Sequence, residues 1–135
     1  MILLNFSHPL LEAQRRQIET LLPGPLEEVI ELRAHFDHEG DFVGEVQALC
    51  ARVSLPPEAW EGGQVILNLP GYAPAAAIVL AWAHGLMGHF PTIVRWVPLP
   101  GTAPQEYWPV ELINLQETRE QARLRRSQAS SIPRL

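Results

Sequence analysis

Two short runs, Ile2-Leu3-Leu4 and Val65-Ile66-Leu67, are apolar at every position. A strand with one wet face alternates apolar and polar residues, because successive side chains point to opposite faces. A run without alternation must be covered on both faces, the condition of a strand in a parallel sheet flanked by helices. Each run ends at an asparagine. Asn5 leads into Phe6-Ser7-His8-Pro9, and Asn68 leads into Leu69-Pro70-Gly71-Tyr72-Ala73-Pro74. In open α/β sheets, ligands sit just beyond the carboxyl ends of the strands, where the strand order reverses. The two matched exits therefore predict the two lips of one crevice.

The rest of the pattern alternates. Ile2–Phe6 is the first predicted strand. Leu10, Leu11, Ile18, Leu21 and Leu22 make a helical stripe, with Pro9 suited to its start and Pro23-Gly24-Pro25 to its end. Glu28–Arg33 is a second strand around Val29, Ile30 and Leu32. His35–Gly40 reads as a polar loop at the rim. Asp41 caps a helix whose Phe42, Val46, Leu49 and Val53 share one face. Pro56 to Gly63 reads as a connector that lays Trp60 against the domain edge. Gln64–Leu69 is the third strand. Pro74–Met87 is a helix, which Gly88 ends in the left-handed conformation. Strands at Pro91–Val97 and Val110–Leu115 follow, then a charged helix at Glu117–Arg126 and a flexible tail over 127–135.

This alternation implies an α/β fold with a mostly parallel sheet and right-handed crossovers. Parallel neighbours need a long crossover, usually a helix. Pro98 to Pro109 is rich in Pro and Gly and has no helical pattern. The last strand is therefore expected to run antiparallel to its neighbour. Asn114, in Leu112-Ile113-Asn114, then falls at the opposite edge from Asn5 and Asn68, where it caps the final helix.

A length of 135 residues suits one domain. The net charge is −5, and all ten basic residues are arginines. An acidic chain is ill suited to scanning duplex DNA, where phosphate neutralisation dominates binding. A small nucleotide is a different matter, because backbone N–H groups at helix N-termini can hold it. The single cysteine, Cys50, lies in a helical apolar pattern and reads as a small core residue. Ala73 to Met87 is the most apolar stretch, but it is short for a bilayer span and carries His84 and Gly85. No basic leader precedes the first strand, so a cytoplasmic location is expected.

Asn5 and Asn68 each offer donors and acceptors without charge, as base edges and ribose hydroxyls require. Ser7 adds a hydroxyl and His8 a group that can donate, accept or protonate. Gly71 clears space beside the backbone, Pro70 shapes the turn, and Tyr72 offers a stacking face. Together they read as a nucleotide or phosphodiester pocket of little formal charge. Each also has an ordinary role: asparagines satisfy turn amides, and serines cap helices. The second exit is no P-loop, since it lacks the Gly-Lys-Ser/Thr ending. Ser7 and His8 are sequence neighbours, a poor arrangement for a nucleophile and its base, and no carboxylate is placed to orient His8. A reaction in which a ribose 2′-hydroxyl attacks its own phosphate would ask only for positioning and charge stabilisation, with His8 as general acid or base.

His35-Phe36-Asp37-His38-Glu39-Gly40-Asp41 matches no metal-ligand template, so neither a metal nor another cofactor is expected. His84 and His89 flank Gly88 at the other end of the sheet. There they complement the helix dipole or face a neighbouring subunit. Arg119, Arg123 and Arg126 share one side of the last helix, with Arg125 close by. They form either a solvated face or a phosphate-capturing assembly contact. Trp82, Trp96, Trp108 and Tyr107 exceed what a small core needs and predict a dimer interface.

The opening Met1-Ile2-Leu3-Leu4-Asn5-Phe6-Ser7-His8-Pro9-Leu10 resembles the start of a small CRISPR-associated family, the Csx proteins of the fifteenth type. The resemblance extends through Leu67-Asn68-Leu69-Pro70-Gly71, Ala73-Pro74-Ala75-Ala76, Gly85-Leu86-Met87-Gly88-His89-Phe90-Pro91-Thr92 and Leu112-Ile113-Asn114-Leu115-Gln116. It covers most of residues 1–126. It implies a Rossmann-like domain akin to the CARF domains, encoded beside type III CRISPR systems and serving antiviral defence. Relatives bind cyclic oligoadenylate second messengers, and related small proteins cleave them as ring nucleases. A CARF-like dimer places one messenger ring across its two-fold axis. By that analogy Asn5, Ser7, His8, Asn68, Pro70 and Gly71 line the pocket. The His89 motif, with Arg119 and Arg123, serves a second subunit layer. The expected function is capture of cyclic tetra-adenylate by a homodimer. The alternatives are a metal-independent ring nuclease using 2′-hydroxyl attack, and an assembly protein that recruits a CRISPR effector.

Overall fold

The computed structural model describes residues 1–33, 35–36 and 39–130. Along them run β1 (Ile2–Asn5), α1 (Glu12–Leu21), β2 (Glu28–Glu31), α2 (Phe42–Cys50), α3 (Pro57–Glu61), β3 (Val65–Asn68), α4 (Ala73–Met87), β4 (Thr92–Pro98), β5 (Tyr107–Asn114) and α5 (Leu115–Ser130). The five strands form one sheet in the order β2-β1-β3-β4-β5. Every neighbouring pair is parallel except β4 and β5. The fold is α/β, a Rossmann-like three-layer arrangement with an antiparallel last strand, as expected from the pattern.

The apolar runs explain the layers. Leu4 of β1 and Val65 and Leu67 of β3 pack on one face, with Val46 and Leu49 of α2, Trp60 of α3, and Val79 and Ala83 of α4. Leu3 and Ile66 point the other way and meet Ile18 of α1. Leu3, Leu4 and Leu67 have no exposed surface and Ile66 has 1 %. Each such side chain contributes roughly 1.5–3 kcal/mol by burial. Both central strands thus need helices on both sides, and the crossovers supply them.

Local chemistry sets several element boundaries. Asp41 caps α2 by accepting from the Gly44 N–H at 3.0 Å. Gly88 ends α4 at φ 74°, a conformation that side chains resist. β5 steps past β4 by a bulge: Arg95 pairs with Glu111, but Trp96 pairs with Pro109, leaving Val110 over. A proline lacks the N–H a regular ladder uses, so a bulge suits it. Asn114 accepts from the N–H groups of Gln116 and Glu117 at 3.0 and 3.3 Å, capping α5 at the amino edge of the parallel strands.

Some boundaries differ from expectation. α1 begins at Glu12, three residues after Pro9, with Leu11 still extended at φ −72° and ψ 153°. Residues 57–61 form a helical turn, where a connector was expected, and Trp60 is 4 % exposed and packs edge-on against Trp82. β5 starts three residues earlier than expected, at Tyr107. α5 runs on to Ser130, past the expected helix end at Arg126. The expected tail over 131–135 lies outside the described residues, as do Asp37 and His38 of the rim loop. Among the described residues, no helix is long and apolar enough to cross a membrane.

Candidate functional site

The chain steps from β1 outward to β2, then returns to the other side of β1 for β3. The strand order therefore reverses between β1 and β3, where crevices open in sheets of this kind. The register there is unusual in its polarity. Asn5 pairs with Glu31 on one side and with Asn68 on the other, so three polar side chains form one row across three strands.

That row is a directed chain of hydrogen bonds. The Trp96 indole N–H donates to Asn68 Oδ1 at 2.7 Å. Asn68 Nδ2 donates to Asn5 Oδ1 at 2.8 Å. Asn5 Nδ2 donates to Glu31 Oε2 at 2.9 Å. An indole can only donate and an ionised carboxylate can only accept, so the two ends fix the orientation of both amides between them. Asn5 has two further bonds: Nδ2 donates to the His8 carbonyl at 2.9 Å, and Oδ1 accepts from the Ser7 N–H at 3.1 Å. Its two donors and two acceptor sites are all engaged.

This revises the expected lips. Asn5 has no exposed surface and lies behind the crevice, holding the Ser7-His8 turn. Asn68 is 5 % exposed and does line the crevice. Its bonds among the described residues take one N–H and one lone pair, leaving one of each uncommitted.

Two adjoining pockets occupy the carboxyl edge. The larger, about 650 Å³, is lined by the exit of β1, the start of α1, the exit of β3, and the β4–β5 hairpin. Its walls include Leu11, Asn68, Leu69, Trp96, Glu106 and Tyr107. The smaller, about 300 Å³, lies over the β2 exit and includes Arg33, His35, Phe36, Pro70 and Tyr72. Ser7, His8 and Gly71 line both, so the two form one groove that joins at these residues. Phe42 stacks edge-on against both Phe36 and Tyr72, tying the outer wall of the small pocket to α2.

The two pockets gather Ser7, His8, Asn68, Pro70, Gly71 and Tyr72 at one edge. His89 lies at the other edge, its Nδ1 donating to the Met87 carbonyl at 3.1 Å in the tautomer that bonds it. Arg119 pairs with Glu120 there, and Arg123 is exposed on α5. Of the aromatics expected at an interface, Trp82 packs on Trp60, and Trp96 and Tyr107 line the larger pocket.

Sequence reasoning missed Arg33, Trp96, Gln105, Glu106 and Tyr107 as groove residues. The hairpin residues had a readable signal. Once β5 is antiparallel, the 99–106 connection must arch over the same edge as Asn5 and Asn68. Thr102 and Gln105 hold that arch, both donating to the Leu99 carbonyl. Gln14 of α1 donates to the Tyr107 carbonyl at 3.1 Å and ties it to the β1 exit.

No carboxylate is bonded to His8 among the described residues, and no three metal-ligating side chains cluster there. No family model, curated protein or solved structure matches the chain.

Proposed function

We propose that this protein binds an adenine nucleotide in the groove, and that the ligand is the cyclic tetra-adenylate class of messenger its family resemblance implies. The observation that carries the reading is Asn68. Its amide is buried, held in one orientation from both sides, and left with an uncommitted donor and acceptor beside a pocket walled by Trp96 and Tyr107. A carboxamide of fixed polarity suits the N6 donor and N7 acceptor of adenine. Aromatic faces favour bases of any kind, by about 1–3 kcal/mol each.

We infer capture as the outcome, which would lower the free messenger and damp its signal. The groove has no nucleophile–base pair among the described residues, while its polar groups are ordered for recognition. In keeping with the resemblance, we assign the protein to the cytoplasm and to a homodimer sharing one ring across its two-fold axis. A second reading, ring cleavage by 2′-hydroxyl attack, is favoured by one feature: exposed His8 stands where the two pockets meet.

Incubation with labelled cyclic tetra-adenylate separates these readings. Capture predicts a stable complex from which intact ring is recovered. Linear fragments ending in a cyclic phosphate would replace capture by cleavage. Absence of binding would contradict both.

A further inference from the structure

Charge is divided between the two pockets. Among the described residues, the larger contains one carboxylate, Glu106, and no arginine. The smaller contains Arg33, His35 and His8, and no carboxylate among the described residues. The other described arginines are paired or lie outside both pockets. Arg15 and Arg16 pair with Glu19 and Glu12 along α1. Arg95 pairs with Glu111, and Arg119 with Glu120. Arg123, Arg125 and Arg126 lie on α5, which leaves the opposite edge. Arg33 makes no ion pair or hydrogen bond among the described residues, and it lies two residues beyond β2, whose end Glu31 anchors to Asn5. A planar guanidinium at such a place matches the oxygens of a phosphate group.

We propose that the smaller pocket is a phosphate subsite, in which Arg33 grips a phosphodiester with His35 and His8 beside it, while the attached base enters the larger pocket. This rests on the nucleotide reading above and adds a direction to it. The ligand runs from β2 toward β5, phosphate over the β2 and β1 exits and base over the β3 and β4 exits. His8 then lies at the junction of base and phosphate. The net charge of −5 adds to the selectivity, since a polyanion without a fitted base meets general repulsion and one local cation.

The test compares two dinucleotides, adenylyl-(3′→5′)-adenosine and its uncharged methylphosphonate counterpart, by calorimetry on the full chain. The wild-type protein is expected to prefer the charged form about ten- to hundredfold, the usual worth of charge-assisted hydrogen bonds. Arg33→Gln is expected to bring the two close to parity, and Arg33→Lys to restore part of the preference as a point charge. Arg52→Gln, a charge-matched change at the exposed end of α2, is expected to keep the full preference. Equal wild-type binding of both compounds would overturn the phosphate subsite while leaving nucleotide binding intact. An Arg33→Gln protein that discriminates as the wild type does would overturn the subsite equally. Binding of neither dinucleotide, together with none of cyclic tetra-adenylate, would overturn both readings.

Discussion

Replacing Asn5 by aspartate exchanges one atom and reverses one hydrogen-bonding role. The new oxygen faces Glu31 Oε2 and the His8 carbonyl, each 2.9 Å from the nitrogen it replaces. Acceptors opposed in a buried site repel, so Asn5→Asp is expected to cost about 2–4 kcal/mol at pH 7. Burial and the neighbouring Glu31 raise the pKa of the new carboxyl, so its protonated form is the one the fold accepts. The cost should therefore shrink as pH falls from 7 to 5, in urea denaturation of both proteins; a pH-independent gap would refute the directed chain. The asparagines were legible from the sequence as paired strand exits. Their partners were not. Glu31 and Trp96 are remote in sequence and meet the asparagines only through strand register and the bulge in β5. The same register turned Asn5 from an expected contact into the support of Ser7, His8 and Asn68.

Among the elements, the strands and the three longer helices of the layers were readable because each carries an apolar run or stripe, unbroken in β1 and β3 up to their asparagines. α3 was not, because one turn is too short to show a period. Its burial is nonetheless deep. Trp60→Ala is expected to cost about 3–5 kcal/mol in denaturant unfolding, since Trp60 fills the space between α3 and Trp82 of α4. α2 offers a second check. Cys50 has no exposed surface, and burial pushes its thiol from the ordinary 9.0 up to about 11, against a smaller backbone hydrogen bond that pulls it down. A raised acid pKa means that the folded state holds its proton more tightly. The stability contributed by Cys50 is therefore complete below pH 9 and declines as pH rises toward 11. Unfolding at pH 8 and pH 10 should show this decline in the wild type, and Cys50→Ala should lack that part of it. At pH 8 iodoacetamide should label the native chain far more slowly than the urea-unfolded chain.

For the molecule as a whole, fold and function meet at one edge of one sheet. The β1–β3 reversal opens the crevice, the missing crossover sends the β4–β5 hairpin over it, and the β2 exit adds Arg33. The first two features follow from element order and were open to sequence reasoning. The third depended on Arg33 and Tyr72 lining one pocket from remote parts of the chain, which no local pattern encodes. The opposite edge holds His89 and the arginines of α5, with local partners for His89 and Arg119. The two edges can be told apart in a titration of ¹⁵N-labelled protein with cyclic tetra-adenylate, followed by side-chain N–H resonances. The groove reading predicts that the Trp96 indole and the Asn68 carboxamide signals shift with the ligand, while the buried Trp60 indole stays. Unmoved Trp96 and Asn68 signals, or shifts confined to the neighbourhood of His89 and α5, would contradict it.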